Sequence, residues 1–404
     1  MIAHFFDSSF NLQWSWKQFL NDELACSGTD SVNLALAAHM LRKNANYYFF
    51  SNVKGSPSEY SNHFFAENLS DAIKLAVEKG CKIILFNDKK NEATIKGLVD
   101  ANQINLGCIV WVQNDPSPYL ADFDCIKRII CVTAKYANNF RHKAYFKKIE
   151  VIHNFIETSS YLTANSKLPY SVAFLGSITL DKGFHHLIKI WPSIKEKYKE
   201  AVLHVYGSAK LYNNNYHLGP LGIAFQDYEE QYLIPFIGNS VEEAKEKYGI
   251  SFLGLSAPQL IKKSLGKYLI GVVNPNCKDS FETFCISAIE FQAAGTAVIG
   301  ANRMGLKETI QQKQTGLLIN KEQELQGAIE ALFSHPEQAQ KLGVQGIDFV
   351  KHQFSMGKVL RDWEALFTAV LNGNKTQTPH FEFLNASVKD YFKYIIGILK
   401  FRNF

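Results

Sequence analysis

The chain has no apolar run near the ~20 residues that a membrane-spanning helix requires. It has no C-x-x-C pair, and its seven cysteines (26, 81, 108, 125, 131, 277 and 285) are odd in number and lie mostly in apolar runs. That pattern excludes a disulfide framework and reads as buried free thiols in a reducing compartment. Charge of one sign is scarce. A net charge of +5 over 404 residues is too mild for a nucleic acid to be the main partner. No G-x-G-x-x-G follows a strand and no G-x-x-x-x-G-K-[ST] occurs, which argues against dinucleotide oxidoreductases and P-loop enzymes. The opening MIAHFFDSSFNLQWSW has no basic start and carries Asp7, so it does not read as a secretory signal. No short internal repeat is visible.

What is present describes an ordinary globular protein, with 47% hydrophobic and 20% charged residues. At roughly one domain per 150 residues, this length implies two or three domains. Apolar runs at 47–50, 82–86, 109–112 and 129–132 read as strands, and a segment with helical periodicity covers 69–78. A second series begins at 171–175 and continues through 201–206, 250–253 and 269–273. Strands alternating with helices imply parallel sheets covered on both faces. Residues 1–27 are aromatic-rich and give no clear element. Residues 165–169 read as a linker. Residues 208–245 read as a polar insertion without period.

The organising stretch is GVVNPNCKDSFETFCISAIEFQAAGTAVIG, residues 271–300. It reads as a strand, a polar loop containing Pro275, a helix from an N-cap at Ser280 to about Ala294, and a second strand after Gly295. Glu282 sits at the helix mouth, and Glu290 follows after seven residues. A carboxylate at a helix start is ordinarily a dipole partner. The functional alternative is that both acids bind ligand hydroxyls while the helix end holds an anion.

ETFCISAIE, then QAAGTAVIG and GLKETIQQKQTGLLI, resembles the signature of retaining glycosyltransferases with the GT-B fold, family 4 in particular. The shared features are a Glu-x7-Glu pair, a small-residue helix end, a G-T-x-V strand, a G-x-x-E turn carrying Glu308, and a T-G-L-L strand. GSITLDKG, residues 176–183, resembles the family's phosphate-binding segment, and VIHNFIE resembles the segment before its interdomain linker. The resemblance implies an α/β fold of two Rossmann-like, doubly wound parallel-sheet domains facing a central cleft. It places an N-terminal acceptor-side domain at 1–165 and a nucleotide-sugar-binding domain at 166–355. A helix at 356–371 then crosses back, and a linker and tail follow at 372–404.

By the same resemblance, Lys182 binds the diphosphate, Glu282 the donor-sugar hydroxyls and Glu290 the ribose. Backbone groups of Phe284 and Cys285, the Gly176–Ser177 turn and the glycine turn at Gly28 complete the binding set. Two positions depart from the pattern. Ser177 stands where the family has Arg, and Asn114 stands where many members have a His beside the transferred sugar. The implied activity is retaining transfer from a UDP- or GDP-sugar to a glycan or lipid-linked saccharide in surface polysaccharide synthesis. No tightly bound cofactor, metal or nucleic acid is implied. The rivals are another GT-B enzyme with a soluble acceptor, or a non-catalytic binder of sugar nucleotides on the same fold.

Three further features bear on the reading. Asp122-Phe123-Asp124 spells the D-x-D of the other glycosyltransferase fold, but it precedes a strand and reads as a solvated pair. His185 and His186 are expected to point apart on a helix, which removes a shared metal. Residues 386–404 read as a basic amphipathic stretch that either lies on an anionic membrane surface, making a cytoplasmic protein peripheral to the membrane, or packs on the body of the enzyme or a second subunit.

Overall fold

The computed structural model describes residues 1–8, 14–53, 60–89, 91–114, 116–211, 217–278 and 282–374. The basic amphipathic stretch 386–404 and Ser280 lie outside the described residues. The chain divides into two units, one of residues 1–16, 29–154 and 359–404, the other of residues 17–28 and 155–358. Among the described residues no helix is long and apolar enough to cross a membrane.

The first unit is built on a seven-stranded parallel sheet in the order β3-β2-β1-β4-β5-β6-β7. Its strands are β1 (Ile2–Phe6), β2 (Tyr47–Ser51), β3 (His63–Phe65), β4 (Ile83–Asn87), β5 (Gly107–Val112), β6 (Ile126–Cys131) and β7 (Ile149–Val151). β1 and β5 are buried at every position, as strands covered on both faces are, though only β5 reads as a strand from the sequence alone. The helices Leu69–Glu78 and Glu92–Gln103 each start on an asparagine, Asn68 and Asn91, whose side chain accepts from the third backbone N–H beyond it. Late in the chain, Trp363 returns to pack on Trp111, ring centroids 4.6 Å apart, and Phe367 lies against Tyr47 at 6.4 Å.

The second unit carries a six-stranded parallel sheet in the order β10-β9-β8-β11-β12-β13. Its strands are β8 (Thr163–Leu175), β9 (Val202–Tyr206), β10 (Ile250–Gly254), β11 (Gly266–Val273), β12 (Ala297–Ala301) and β13 (Gly316–Ile319). Its core holds Phe174, Phe184, Leu187, Trp191, Val205 and Ile270. The helical stripe at Leu187, Ile188, Trp191 and Ile194 is fully buried, as its spacing predicts.

Four sequence expectations are corrected. Residues 165–169 are not a linker but part of β8, where Leu168 pairs with Tyr268. Pro169 cannot donate, so the register slips there, between Tyr268 and Ile270, without ending the strand. The helix of the organising stretch begins at Ile286, not near Ser280, because the backbone at 282–284 is pinned to the Gly305 turn. Residues 208–245 are not formless. Their described part folds around Glu229, which is fully buried and accepts from the backbone N–H groups of Leu221, Ile223 and Ala224 at 2.6–2.7 Å. Finally, the His185 and His186 rings do not point apart, since their centroids are 4.0 Å apart. All seven cysteines are free thiols, and five of them are buried.

Candidate active site

The second sheet reverses its direction of progression between β8 and β11, and ligands of open α/β sheets bind outside the strand carboxyl ends at such a switch point. The two loops that carry the sequence candidates leave the sheet there. Residues 176–183 follow β8, and residues 274–285 follow β11.

The first loop is shaped by close backbone approaches. Gly176 N donates to Tyr206 O at 3.0 Å, and Gly207 N to Gly254 O at 2.8 Å, so the ends of β8, β9 and β10 are tied together. A Cβ on Gly207 (φ 144°) would fall 1.8 Å from Gly176 O, which only glycine avoids. Ser177 is 1% exposed, and its hydroxyl finds no hydrogen-bond partner among the described residues. A short 3-10 turn, Leu180–Lys182, ends at Gly183, whose left-handed φ of 68° lets the Asn276 backbone approach. Asn276 then donates from Nδ2 to Leu180 O at 3.0 Å and joins the two loops.

Lys182 and Glu282 meet across this switch point. Nζ lies 2.8 Å from Glu282 Oε2, with the side chains 17% and 12% exposed. Asn274, held at φ 35°, donates to the same oxygen at 3.0 Å. The Glu282 backbone is fixed as well. Its carbonyl accepts from Gly305 N at 2.8 Å, and a Cβ on Gly305 would fall 2.1 Å from Thr283 O. Arg303 donates to the carbonyls of Cys277 and Lys278, and Glu322 accepts from Cys277 N, so the loop rests on a polar frame.

Phe284 and Cys285 are buried. Phe284 packs edge-on against Phe354, and burial pushes the Cys285 thiol up to about 12. Glu290 lies on the Ile286–Ala293 helix and accepts from Tyr161 Oη at 2.8 Å. Burial raises its carboxyl to about 7, against the pull of the Tyr161 hydrogen bond and the Lys262 charge. Gly28 belongs to the same unit, and a Cβ there would lie 2.6 Å from Ile286 Cδ1. Glu308 sits half-buried on the short Leu306–Thr309 helix.

Asn114 belongs to the first unit, is exposed, and accepts the Tyr136 hydroxyl on its backbone carbonyl. The neighbouring Gln113 makes a reciprocal amide pair with Asn154 at 3.0–3.1 Å. The D-x-D acids, Asp122 and Asp124, precede β6. Among the described residues no group of three or more His, Cys, Asp or Glu side chains is placed to hold a metal.

Sequence reasoning did not find Asn274, Tyr161 or Arg303. Asn274 left one signal, an Asn directly before Pro275 at a strand end. The other two act through contacts that local spacing does not carry.

No curated protein matches the chain. Among solved structures, the fold is similar to sucrose-phosphate synthase from Thermosynechococcus elongatus, at 13% identity and TM-score 0.68, covering 92% of this chain and 99% of that one. It is similar to Anabaena HepE in complex with UDP and glucose, at 15% identity and TM-score 0.66, covering 91% and 99%. It is also similar to a glycosyltransferase from Rickettsia africae, at 16% identity and TM-score 0.68, covering 92% and 99%. The fold is therefore α/β and of the GT-B glycosyltransferase type, and residues 163–349, a little under half of the chain, match the family Glycosyl transferases group 1.

Proposed function

We propose that this chain is a retaining, family 4-like glycosyltransferase that moves a sugar from a UDP- or GDP-sugar to a glycan or lipid-linked saccharide. The observation that carries this reading is the Lys182–Glu282–Asn274 cluster at the switch point of the second sheet, with Glu290 one helix further on. A structural neighbour from Anabaena was solved with UDP-glucose, which fits a donor of this class.

Three demands must be met in such a reaction. The departing diphosphate gathers negative charge, the sugar must be oriented, and positive charge develops on the ring. Lys182 supplies a cation for the first, beside the open end of the Ile286–Ala293 helix. Glu282 accepts from sugar hydroxyls, and its negative charge favours the positive charge that develops on the ring. Glu290 accepts from the ribose. In retention, the bond from the anomeric carbon to the phosphate oxygen breaks, and the acceptor oxygen bonds to that carbon on the same face. The acceptor proton passes to the departing phosphate oxygen.

The test is binding followed by product analysis. A thermal-shift screen of UDP, GDP and their sugars should show one nucleotide class raising the unfolding temperature by mass action. Incubation of that donor with saccharide acceptors should give a product of unchanged anomeric configuration, and transfer should survive a chelator. No shift with any nucleotide, or an inverted product, would overturn the reading. The stretch 386–404 is proposed to hold the enzyme at anionic membranes. Full-length protein should sediment with anionic vesicles at low salt, and protein lacking 384–404 should not.

A further inference from the structure

Among the described residues, one donor reaches the Glu290 carboxyl. Tyr161 Oη donates to Oε1 at 2.8 Å from a buried ring. The tyrosine is itself held. The next residue, Leu162, donates its backbone N–H to Lys262 O at 3.1 Å. Lys262 Nζ stands 6.0 Å from the Tyr161 ring centroid and bonds both oxygens of Asp22 at 2.6 Å. Asp22 O in turn accepts from Gln259 N at 3.0 Å. The phenol is thus wedged between a neutralised cation and a carboxylate. Tyr161 and Lys262 are the groups that act electrostatically on Glu290. The packed β11, β12 and the helices Leu306–Thr309 and Pro336–Gln353 bring none that shifts it.

We propose that Tyr161 is a positioning residue for the nucleotide: it occupies one oxygen of Glu290 and so turns the other toward a vicinal diol. The inference rests on Glu290 being the ribose-binding acid. A diol offers two O–H donors, and an ionised carboxylate is acceptor-only, with about four lone-pair directions. Tyr161 takes one and leaves the rest oriented. It also favours the ionised form, which burial opposes. Burial holds the phenol well above its ordinary range, so it remains a donor through neutral pH.

Tyr161→Phe keeps the ring and removes the donor, and two readouts on the full chain test it. The first needs no ligand. Carbon NMR of labelled Glu carboxyls, with Glu290→Gln for assignment, should show the Glu290 midpoint about one to two pH units higher in Tyr161→Phe. An unmoved midpoint overturns the inference whatever binds. The second uses UDP-glucose and GDP-mannose, which carry no phosphate titrating near neutrality. Donor affinity should fall as pH drops through the Glu290 midpoint. It should fall at higher pH in the variant, leaving binding at pH 7 roughly tenfold weaker. A moved midpoint with equal donor affinity at pH 7 also overturns it. If neither nucleotide sugar binds the wild type while the midpoint moves, the ribose assignment fails and the nucleotide role falls with it.

Discussion

Lys182 faces two anions in the proposed reaction. In the free protein it has Asp181 at 4.0 Å and pairs with Glu282 at 2.8 Å. A nucleoside diphosphate must share the lysine with that carboxylate or displace it. Glu282→Ala should therefore tighten binding of the free nucleoside diphosphate, by about two- to fivefold, as expected when a competing ion pair of this kind is removed. The same change should lower transfer tenfold or more, because a charge-assisted contact to the sugar is lost, worth roughly 1.5–3 kcal/mol. Lys182→Ala should act in the opposite sense on binding, weakening diphosphates far more than the bare nucleoside. Calorimetric titration of both variants checks this, and identical affinities in wild type and Glu282→Ala would remove the competition. That Lys182 and Glu282 each matter was legible in their motifs. That they bond to each other was not, because they are 100 positions apart and meet only through the switch point of a parallel sheet.

At the scale of elements, the regular parts announce themselves and the pinned parts do not. The central strands of both sheets, β4, β5, β6, β9 and β11 among them, read as apolar runs, as strands of a covered parallel sheet do. β1 escaped because its IAHFF run stands in an aromatic-rich start, and β3 because it is three residues long and only partly buried. Residues 282–285 look helical by composition, yet the Gly305 turn holds them outside the helix. The polar stretch around Glu229 has no period because its order comes from one carboxylate collecting three backbone donors. That arrangement makes a prediction. Glu229→Ala would strand three buried N–H groups and should destabilise the second unit by about 3–5 kcal/mol. The exposed neighbour change Glu230→Ala should stay within about 0.5 kcal/mol. Thermal unfolding of the two variants separates them, and equal midpoints would mean that water satisfies the loop without the carboxylate.

For the whole molecule, buried ionisable groups set how stability follows pH. Burial lowers His4 to about 3, and His63 and His185 to about 4. Their folded values lie below the unfolded value, so the stability they contribute is present above about pH 6.5 and is lost as pH falls toward 4. Glu290 has the opposite sign. Its folded value is raised to about 7, so its contribution is present below the unfolded value near 4.5 and is lost as pH rises through 7. Three groups outweigh one, so the free protein should lose stability on acidification. Glu290→Gln should make that loss steeper, and thermal midpoints from pH 4.5 to 7.5 measure it. The first unit has a different consequence, in time rather than in pH. Its core includes Trp363 against Trp111 and Phe367 against Tyr47, yet residues 155–358 intervene. On the ribosome, where domains generally fold from the N-terminus as they emerge, this unit must wait for residues 359–371, which follow the whole of the segment 155–358. The second unit completes its own sheet first. Until residues 359–371 arrive, two large aromatic surfaces of the nascent chain stay uncovered, and a chain stopped at Lys358 should be captured by chaperones rather than released folded.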